Sequence, residues 1–519
     1  MTGENADDGA PNGGNGSATD EIADTVEATE TATADESAGD DSVVRRDRFS
    51  GGPARSFLSS LEADERIFEA DLEVDRAHVV MLAECGVIET DIAGEILTAL
   101  DAIEVEGHES LPDGEDVHEA IETAVIEQIG SDGGKMHTAR SRNDEVATCI
   151  RYRLREDVLS ALETTLGLRE ALLEVADEHA ETTMPGYTHL QPAQPITVGH
   201  WALSYENAIR RDTARLVDAY GRINQSPLGG AAFAGTTFDI DRERTADLLG
   251  FEAVLENSMD ASSSRDFLLE TTQALSTLAT TLSGLAEDVI IFANRGFVSL
   301  SDDYSSTSSI MPQKKNPDTL ELVRAVAGDA AGEVQGLTTT LKGLPRAYNR
   351  DLQRATPHAW ETVDAVTEAA EVAAGAVATA DWNDDALAEE AGAGFSTATG
   401  VADLLAANGL PFRTAHEVVA HAAESDASDE LEAVETAAAD VLGEPLESYV
   451  ALEAVEAALD PTESVASRDS QGGPAPTAVR AQLESGRGTL EADREELDGL
   501  EDHLASAHAS LREEVSGYV

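Results

Sequence analysis

Two of the four lysines in the 519-residue chain stand side by side, Lys314 and Lys315, within Ser305-Ser-Thr-Ser-Ser-Ile-Met-Pro-Gln-Lys-Lys-Asn-Pro-Asp318. The other thirty basic residues are arginine, so lysine is otherwise nearly excluded and this placement needs a reason. A compact ammonium beside hydroxyls and Asn316 can sit over carboxylate charge that develops during a reaction. The plain alternative is a solvated basic loop. A second stretch, Met184-Pro-Gly-Tyr-Thr-His-Leu-Gln-Pro-Ala-Gln-Pro195, turns sharply and then presents Thr188, His189 and Gln191. Histidine moves protons near neutrality, although a lone one is more often a structural hydrogen-bonder. The third, Lys135-Met-His-Thr-Ala-Arg-Ser-Arg-Asn-Asp144, packs two arginines, Asn143 and hydroxyls into one turn, suited to gripping carboxylates bidentately. Ser141 there also reads as a helix N-cap, and the two readings are compatible.

Other chemistries leave no trace. None of the twelve histidines lies in a metal-ligand spacing such as H-E-x-x-H, so no metal site is expected. There is no phosphate-binding P-loop, no G-x-G-x-x-G after a strand and no G-x-S-x-G elbow. What is left is acid–base chemistry on a polycarboxylate substrate, without a cofactor.

These motifs fall in Pro/Gly-rich stretches at 131–143, 184–195, 226–236, 301–318 and 343–354, which read as loops between long helices. Prolines are absent from 113 to 184, 228 to 311 and 358 to 410. In 264–295, Leu268, Leu275, Leu278, Leu282, Leu285 and Val289 share one helical face. Segments 146–180, 197–222 and 317–341 look similar. The fold class is mainly α, a central bundle of long helices. The expected divisions are a disordered acidic tail at 1–44, an N-terminal helical domain at 45–145, the bundle at 146–382 and a C-terminal helical domain at 383–519.

Acids outnumber bases 101 to 34, a formal net charge of −67, and removing the twelve acids of 1–44 leaves −55. Such a surface repels phosphate backbones and anionic lipids, so neither nucleic acid nor membrane is an expected partner. Carboxylates with almost no lysine suit a protein kept soluble in molar salt. Two cysteines, Cys85 and Cys149, make no disulfide framework, and no signal peptide or run of eighteen apolar residues is present. A cytoplasmic location is expected.

S-S-I-M-P-Q-K-K-N-P closely resembles the signature loop of the fumarase/aspartase superfamily. The doubled lysine, with H-T-A-R-S-R-N-D and G-Y-T-H-L-Q-P-A-Q-P, resembles its argininosuccinate lyase branch, of the halophilic archaeal type. Leu344-Pro-Arg-Ala-Tyr-Asn-Arg-Asp-Leu-Gln353, Asn257-Ser-Met-Asp260 and Arg48-Phe-Ser50 are similar to further stretches of that branch. The resemblance spans about residue 45 to the C-terminus and weakens after 420.

It implies a fumarase/aspartase-like homotetramer with a 20-helix core and active sites shared between subunits. Three motifs from three subunits would form each site. The implied reaction is reversible elimination of argininosuccinate to arginine and fumarate, the last step of arginine synthesis. In that scheme Ser308 is the base, its pKa lowered by positive charge and backbone N–H groups. Lys314 stabilises the dianion formed, and His189, paired with Glu321, is general acid or proton relay. Ser50, His118, Ser141, Arg142, Asn143, Thr188, Asn316, Tyr348 and Gln353 fall on substrate-binding positions.

Some positions depart from the family's pattern. Thr307 and Ala139 stand where glycine is usual, Thr356 where a substrate-binding lysine is frequent, and Ala54 where aspartate is common. Arg354 is a candidate to restore the missing charge. A different lyase of the superfamily should lack R-S-R-N-D and Q-K-K-N-P-D together. A catalytically silent relative would have little reason to keep Ser308, Lys314, His189 and Glu321.

Overall fold

The computed structural model describes residues 53–425, 427 and 429–519. The tail read over 1–44 and the substrate-binding position Ser50 lie outside the described residues.

The chain opens with a helical unit. Helices α1 (Phe68–Glu84), α2 (Thr90–Glu106) and α3 (Val117–Ile129) enclose a core of Leu72, Val79, Leu97, Leu100, Ile121 and Val125. In α1 even Asp71, Glu73, Asp75, Arg76 and His78 are buried. Charges so placed must be paired or hydrogen-bonded.

Helix α4 (Arg142–Glu178) then runs 37 residues, about 55 Å at 1.5 Å per residue. Ser141 and Asp144 close a reciprocal capping box at its start, satisfying N–H groups that a helix leaves unpaired. The other oxygen of Asp144 accepts from the N–H groups of Gly229 (2.9 Å) and Ala231 (2.8 Å), tying the 226–236 loop to the arginine motif. Beyond the far end of α4, β1 (Thr183–Thr188) pairs antiparallel with β2 (Gln191–Thr197). The stretch read as a loop is therefore a hairpin. Its prolines are tolerated because the ribbon has only two strands, both edges.

The bundle continues with α5 (Val198–Ile223), α6 (Asp266–Arg295), α7 (Asp318–Leu341) and α8 (Thr356–Ala378). The face foreseen in α6, Leu268 through Val289, is buried at all six positions in the core shared with α4, α5, α7 and α8. By length and composition α6 could cross a membrane, but its apolar stripe is spent on this core. Helix α7 contrasts with it. Only Leu320, Val323, Ala330 and Leu337 are buried there, while Leu322 is 71% exposed. Between α6 and α7, β3 (Ser306–Thr307) pairs with β4 (Lys315–Asn316), pinching the 305–318 loop at its base.

The region 383–519 contains two different things. Helices α9 (Ala398–Ala407), α10 (Phe412–Ala423) and α11 (Glu430–Leu442) form a small separate core with Val401, Leu405, Val418 and Val434. The last helix, α12 (Pro476–Ser516), returns along the body. Its Val479, Leu483, Leu490 and Leu497 join the bundle core, and Leu511 and Val515 join the N-terminal one.

Candidate active site

The site residues named from the sequence separate into two groups at opposite ends of the bundle. At the N-terminal end of α4 lies a cavity of about 540 Å³ lined by His118, Arg142, Asn143, Arg265, Tyr348 and Gln353, among others. Thr356 lines it too. Asn143 donates to the Ala232 carbonyl (3.1 Å) and Gln353 to that of Leu58 (3.2 Å). Arg142 reaches Asp116 and Glu119, each at 3.4 Å. Ser141 spends its hydroxyl on the helix cap, accepting from the Asn143 N–H, and does not line the cavity.

His118 stands in the first turn of α3, behind the N-cap Asp116. Its Nδ1 is 2.8 Å from Asp71 Oδ2, and Glu145 lies 3.9 Å away. Nε2 is buried without a hydrogen-bond partner. Burial alone would hold the imidazole neutral, but Asp71 and Glu145 outweigh it and push its pKa up to about 10. The surroundings thus favour the imidazolium form of His118, which lines the cavity and keeps a buried Nε2–H without a partner. Cys149 Sγ donates to the other oxygen of Asp71 at 3.3 Å.

Beneath it Arg140 is held between Asp75 (2.5 Å) and Glu145 (2.8 Å), all three buried. Burial pushes Asp75 up to about 7 and Glu145 well above the carboxylate range, against the pull of Arg140. Three carboxylates facing two cations reach neutrality by keeping one proton. The sequence reading missed Asp71, Asp75 and Glu145. The available signal was the spacing of Asp71, Asp75 and His78, which puts three polar groups on one helical face beside Leu72, Val79 and Leu82.

The second group lies beyond the far end of α4. The hairpin turn is His189-Leu190, both with left-handed backbone (φ 57° and 58°), and Thr188 and His189 are exposed. A two-residue turn of this kind favours Asn and Gly, so His and Leu hold it under strain. Arg295, the last residue of α6, stacks over the Tyr187 ring at 4.8 Å, which brings the end of α6 and the loop after it beside the hairpin.

That loop is anchored by Tyr304, whose ring occupies the space a side chain at Gly375 of α8 would fill, and whose carbonyl accepts from Thr319 Oγ1. Its tip holds Ser308. The Ser308 N–H donates to the Lys314 carbonyl (3.3 Å), and Ser308 Oγ accepts from the N–H groups of Met311 (3.2 Å) and Ile310 (3.4 Å). Two backbone donors on one hydroxyl oxygen favour its anion. Of the paired lysines, Lys315 is tied to Asp302 at 2.8 Å, whereas Lys314 is exposed and has no ion pair among the described residues. Asn316 lies in β4, and Glu321 is exposed in the first turn of α7. Within one chain no hydrogen bond or ion pair joins His189 to Glu321 among the described residues, so the pairing expected from the sequence is not made inside the subunit.

Residues 54–332 match the family described as Lyase, and residues 395–466 match argininosuccinate lyase C-terminal. The argininosuccinate lyase of Haloarcula marismortui is 66% identical over 495 residues, 94% of this chain and 99% of that protein. That of Natronomonas pharaonis is 68% identical, covering 92% of this chain and 97% of its own. Among solved structures, EDDS lyase in complex with formate superposes with a TM-score of 0.81 at 32% identity, covering 90% of this chain and 96% of that one. A class II fumarase from Schistosoma mansoni shares the fold at a TM-score of 0.67 and 17% identity, over 79% and 93% of the two chains. With relatives this similar over nearly its whole length, the chain belongs to the argininosuccinate lyase family of the fumarase/aspartase superfamily.

Proposed function

We propose that each active site joins the two ends of the bundle from different subunits of a homotetramer, and that it splits argininosuccinate reversibly into arginine and fumarate. The enzyme is a carbon–nitrogen lyase of arginine biosynthesis. One observation carries the catalytic assignment: Ser308 Oγ already accepts two backbone N–H groups, in the same loop as Lys314, which has no ion pair among the described residues.

In the forward direction the Ser308 alkoxide removes a proton from the succinate carbon next to a carboxylate. The electron pair moves into that carboxylate, and the Lys314 ammonium stabilises the resulting dianion. Collapse of the dianion forms the double bond of fumarate and breaks the C–N bond. The guanidino group of arginine leaves with a proton supplied through His189, with Glu321 of another subunit as its hydrogen-bonding partner. His118, Arg142, Asn143, Tyr348 and Gln353 bind substrate from the cavity of one subunit, with Ser50, Thr188 and Asn316 as further contacts, while Ser141 serves as the helix cap.

The lengths involved support sharing between subunits. A site drawing on both ends of α4 would have to span about 55 Å within one chain, several times the size of the substrate. The thinly buried α7, with Leu322 outward, provides apolar surface for neighbouring subunits. The acidic surface fits a cytoplasm of molar salt.

The test is turnover in molar KCl, following fumarate absorbance and free arginine together. Equimolar release that vanishes in Ser308→Ala supports the assignment. Turnover of adenylosuccinate or malate in place of argininosuccinate would overturn it.

A further inference from the structure

The hairpin tip that carries His189 has little of its own to hold it. Thr188, His189, Leu190, Gln191 and Pro192 are all exposed. Pro185, Pro192 and Pro195 lack the N–H that a ladder needs, and the register slips between Pro185 and Tyr187. The turn residues His189 and Leu190 both carry left-handed backbone, which neither side chain favours. A two-stranded ribbon of this kind is marginal alone and takes its shape from what it packs against.

Tyr187 supplies that packing. It is half-buried, stands two residues before His189, and lies against the bundle core. Arg295 covers its ring, with the guanidinium carbon 4.8 Å from the centroid. The ring's negative face attracts the cation, and the planar guanidinium stacks on it. The platform under Arg295 is rigid. One turn earlier in α6, Phe292 is buried among Trp201 (centroids 5.5 Å apart), Phe297 (6.3 Å) and Trp382 (6.2 Å). Gly296 closes the helix in left-handed conformation (φ 78°), so Arg295 sits where the dipole of α6 favours a cation. Glu390 is 3.9 Å from Arg295, but the two side chains are 38% and 35% exposed, and molar salt screens such a contact. The hold on Tyr187 is therefore the stacking, not the ion pair.

We propose that Arg295 is a positioning residue for His189, clamping Tyr187 so that the hairpin tip presents the imidazole in one fixed place. The proposal rests on the reading of His189 as the proton relay to the leaving guanidino group. Proton transfer needs its donor within hydrogen-bond reach, and a displacement of about 1 Å can cost on the order of a hundredfold in rate. Arg295 touches no reacting atom in this scheme and acts through Tyr187.

The test is a double-mutant cycle on kcat for argininosuccinate in molar KCl, with single-turnover rates covering the slow variants. Arg295→Met should lower kcat about 10- to 100-fold and keep KM within about threefold, because the substrate cavity lies at the other end of the bundle. Arg295→Lys keeps a cation over the ring and should recover most of the loss, while Glu390→Gln should stay within about twofold of wild type. In a His189→Gln background, Arg295→Met should cost less than about twofold further, since the group it positions is gone. Equal losses in both backgrounds overturn the proposal, and so does an unchanged kcat in Arg295→Met; both leave the lyase reading standing. Full activity of His189→Gln overturns the relay reading and this proposal with it, and wild-type silence with argininosuccinate overturns the lyase reading itself. If Arg295→Met does not assemble, Tyr187→Leu takes its place in the cycle: a loss that vanishes beside His189→Gln supports the proposal, and a loss that persists there overturns it.

Discussion

His118 Nδ1 and Asp71 Oδ2 are 2.8 Å apart, both side chains are buried, and the opposite ring nitrogen of His118 has no partner. The pair fixes the ring and favours its charged form, leaving Nε2–H as an unsatisfied charged donor on a residue that lines the substrate cavity. Asp71→Asn removes that charge, and His118 should then lose its proton at or below the ordinary histidine value of about 6.5. The variant's kcat/KM for argininosuccinate should fall about tenfold or more between pH 6 and 8 relative to wild type, whose His118 stays charged to about 10. Parallel pH profiles for the two enzymes would show that the ion pair does not govern binding.

The same group affects stability. Folding raises the pKa of His118 from about 6.5 to about 10, so its contribution is full below the unfolded value and is lost as pH rises through the folded one. Asp75 is raised to about 7, and its contribution is full near pH 4 and lost as pH rises through 7. Both terms make the fold weaker in alkali. Calorimetry at constant molar KCl should show the melting temperature falling from pH 7 to 10, with a shallower fall in His118→Gln. An equal slope in the two proteins would refute the assignment.

Much of this was readable from the sequence, for physical reasons. The α6 face from Leu268 to Val289 is a local 3/4 repeat, and burial of that face needs no knowledge of its neighbours. The Ser308 loop stood out because lysine is so rare elsewhere. The charged network below the cavity did not stand out. Asp71, His118, Arg140 and Glu145 come from α1, α3, the turn before α4 and α4 itself, so only the packing of three helices makes them neighbours. Arg265 looked like any other arginine until its burial was known, with no carboxylate at ion-pair distance among the described residues. The hairpin at 183–197 was hidden by Pro185, Pro192 and Pro195, residues that ordinarily argue against a strand.

Ala139 carries left-handed backbone at φ 66°, where a Cβ crowds the following carbonyl. It lies between Thr138, whose carbonyl takes the hydrogen bond of His78 Nε2 at 2.8 Å, and the buried Arg140. The turn is therefore held in place despite the strain. Ala139→Gly should relieve it and stabilise each subunit by about 0.5–1 kcal/mol, the lost steric cost partly offset by a freer unfolded chain. A higher thermal midpoint with unchanged KM is the expected result, and a lower midpoint would show that the methyl group packs usefully.

Separation of the two ends along α4 makes the last prediction quantitative. Ser308→Ala disables the loop end and His118→Asn the cavity end, and each homo-oligomer should be almost inactive. If a site takes its cavity from one subunit and its loop from another, co-refolding the two variants in equal amounts creates sites with neither defect. A site is intact when its cavity donor is a Ser308→Ala chain and its loop donor a His118→Asn chain. With random assembly that combination arises in about a quarter of sites, so activity should recover to about 25% of wild type. Mixing the assembled variants without unfolding them should recover far less, since new sites then form only through subunit exchange. Sites contained within one subunit would always carry a defect, and the refolded mixture would stay as inactive as its parents.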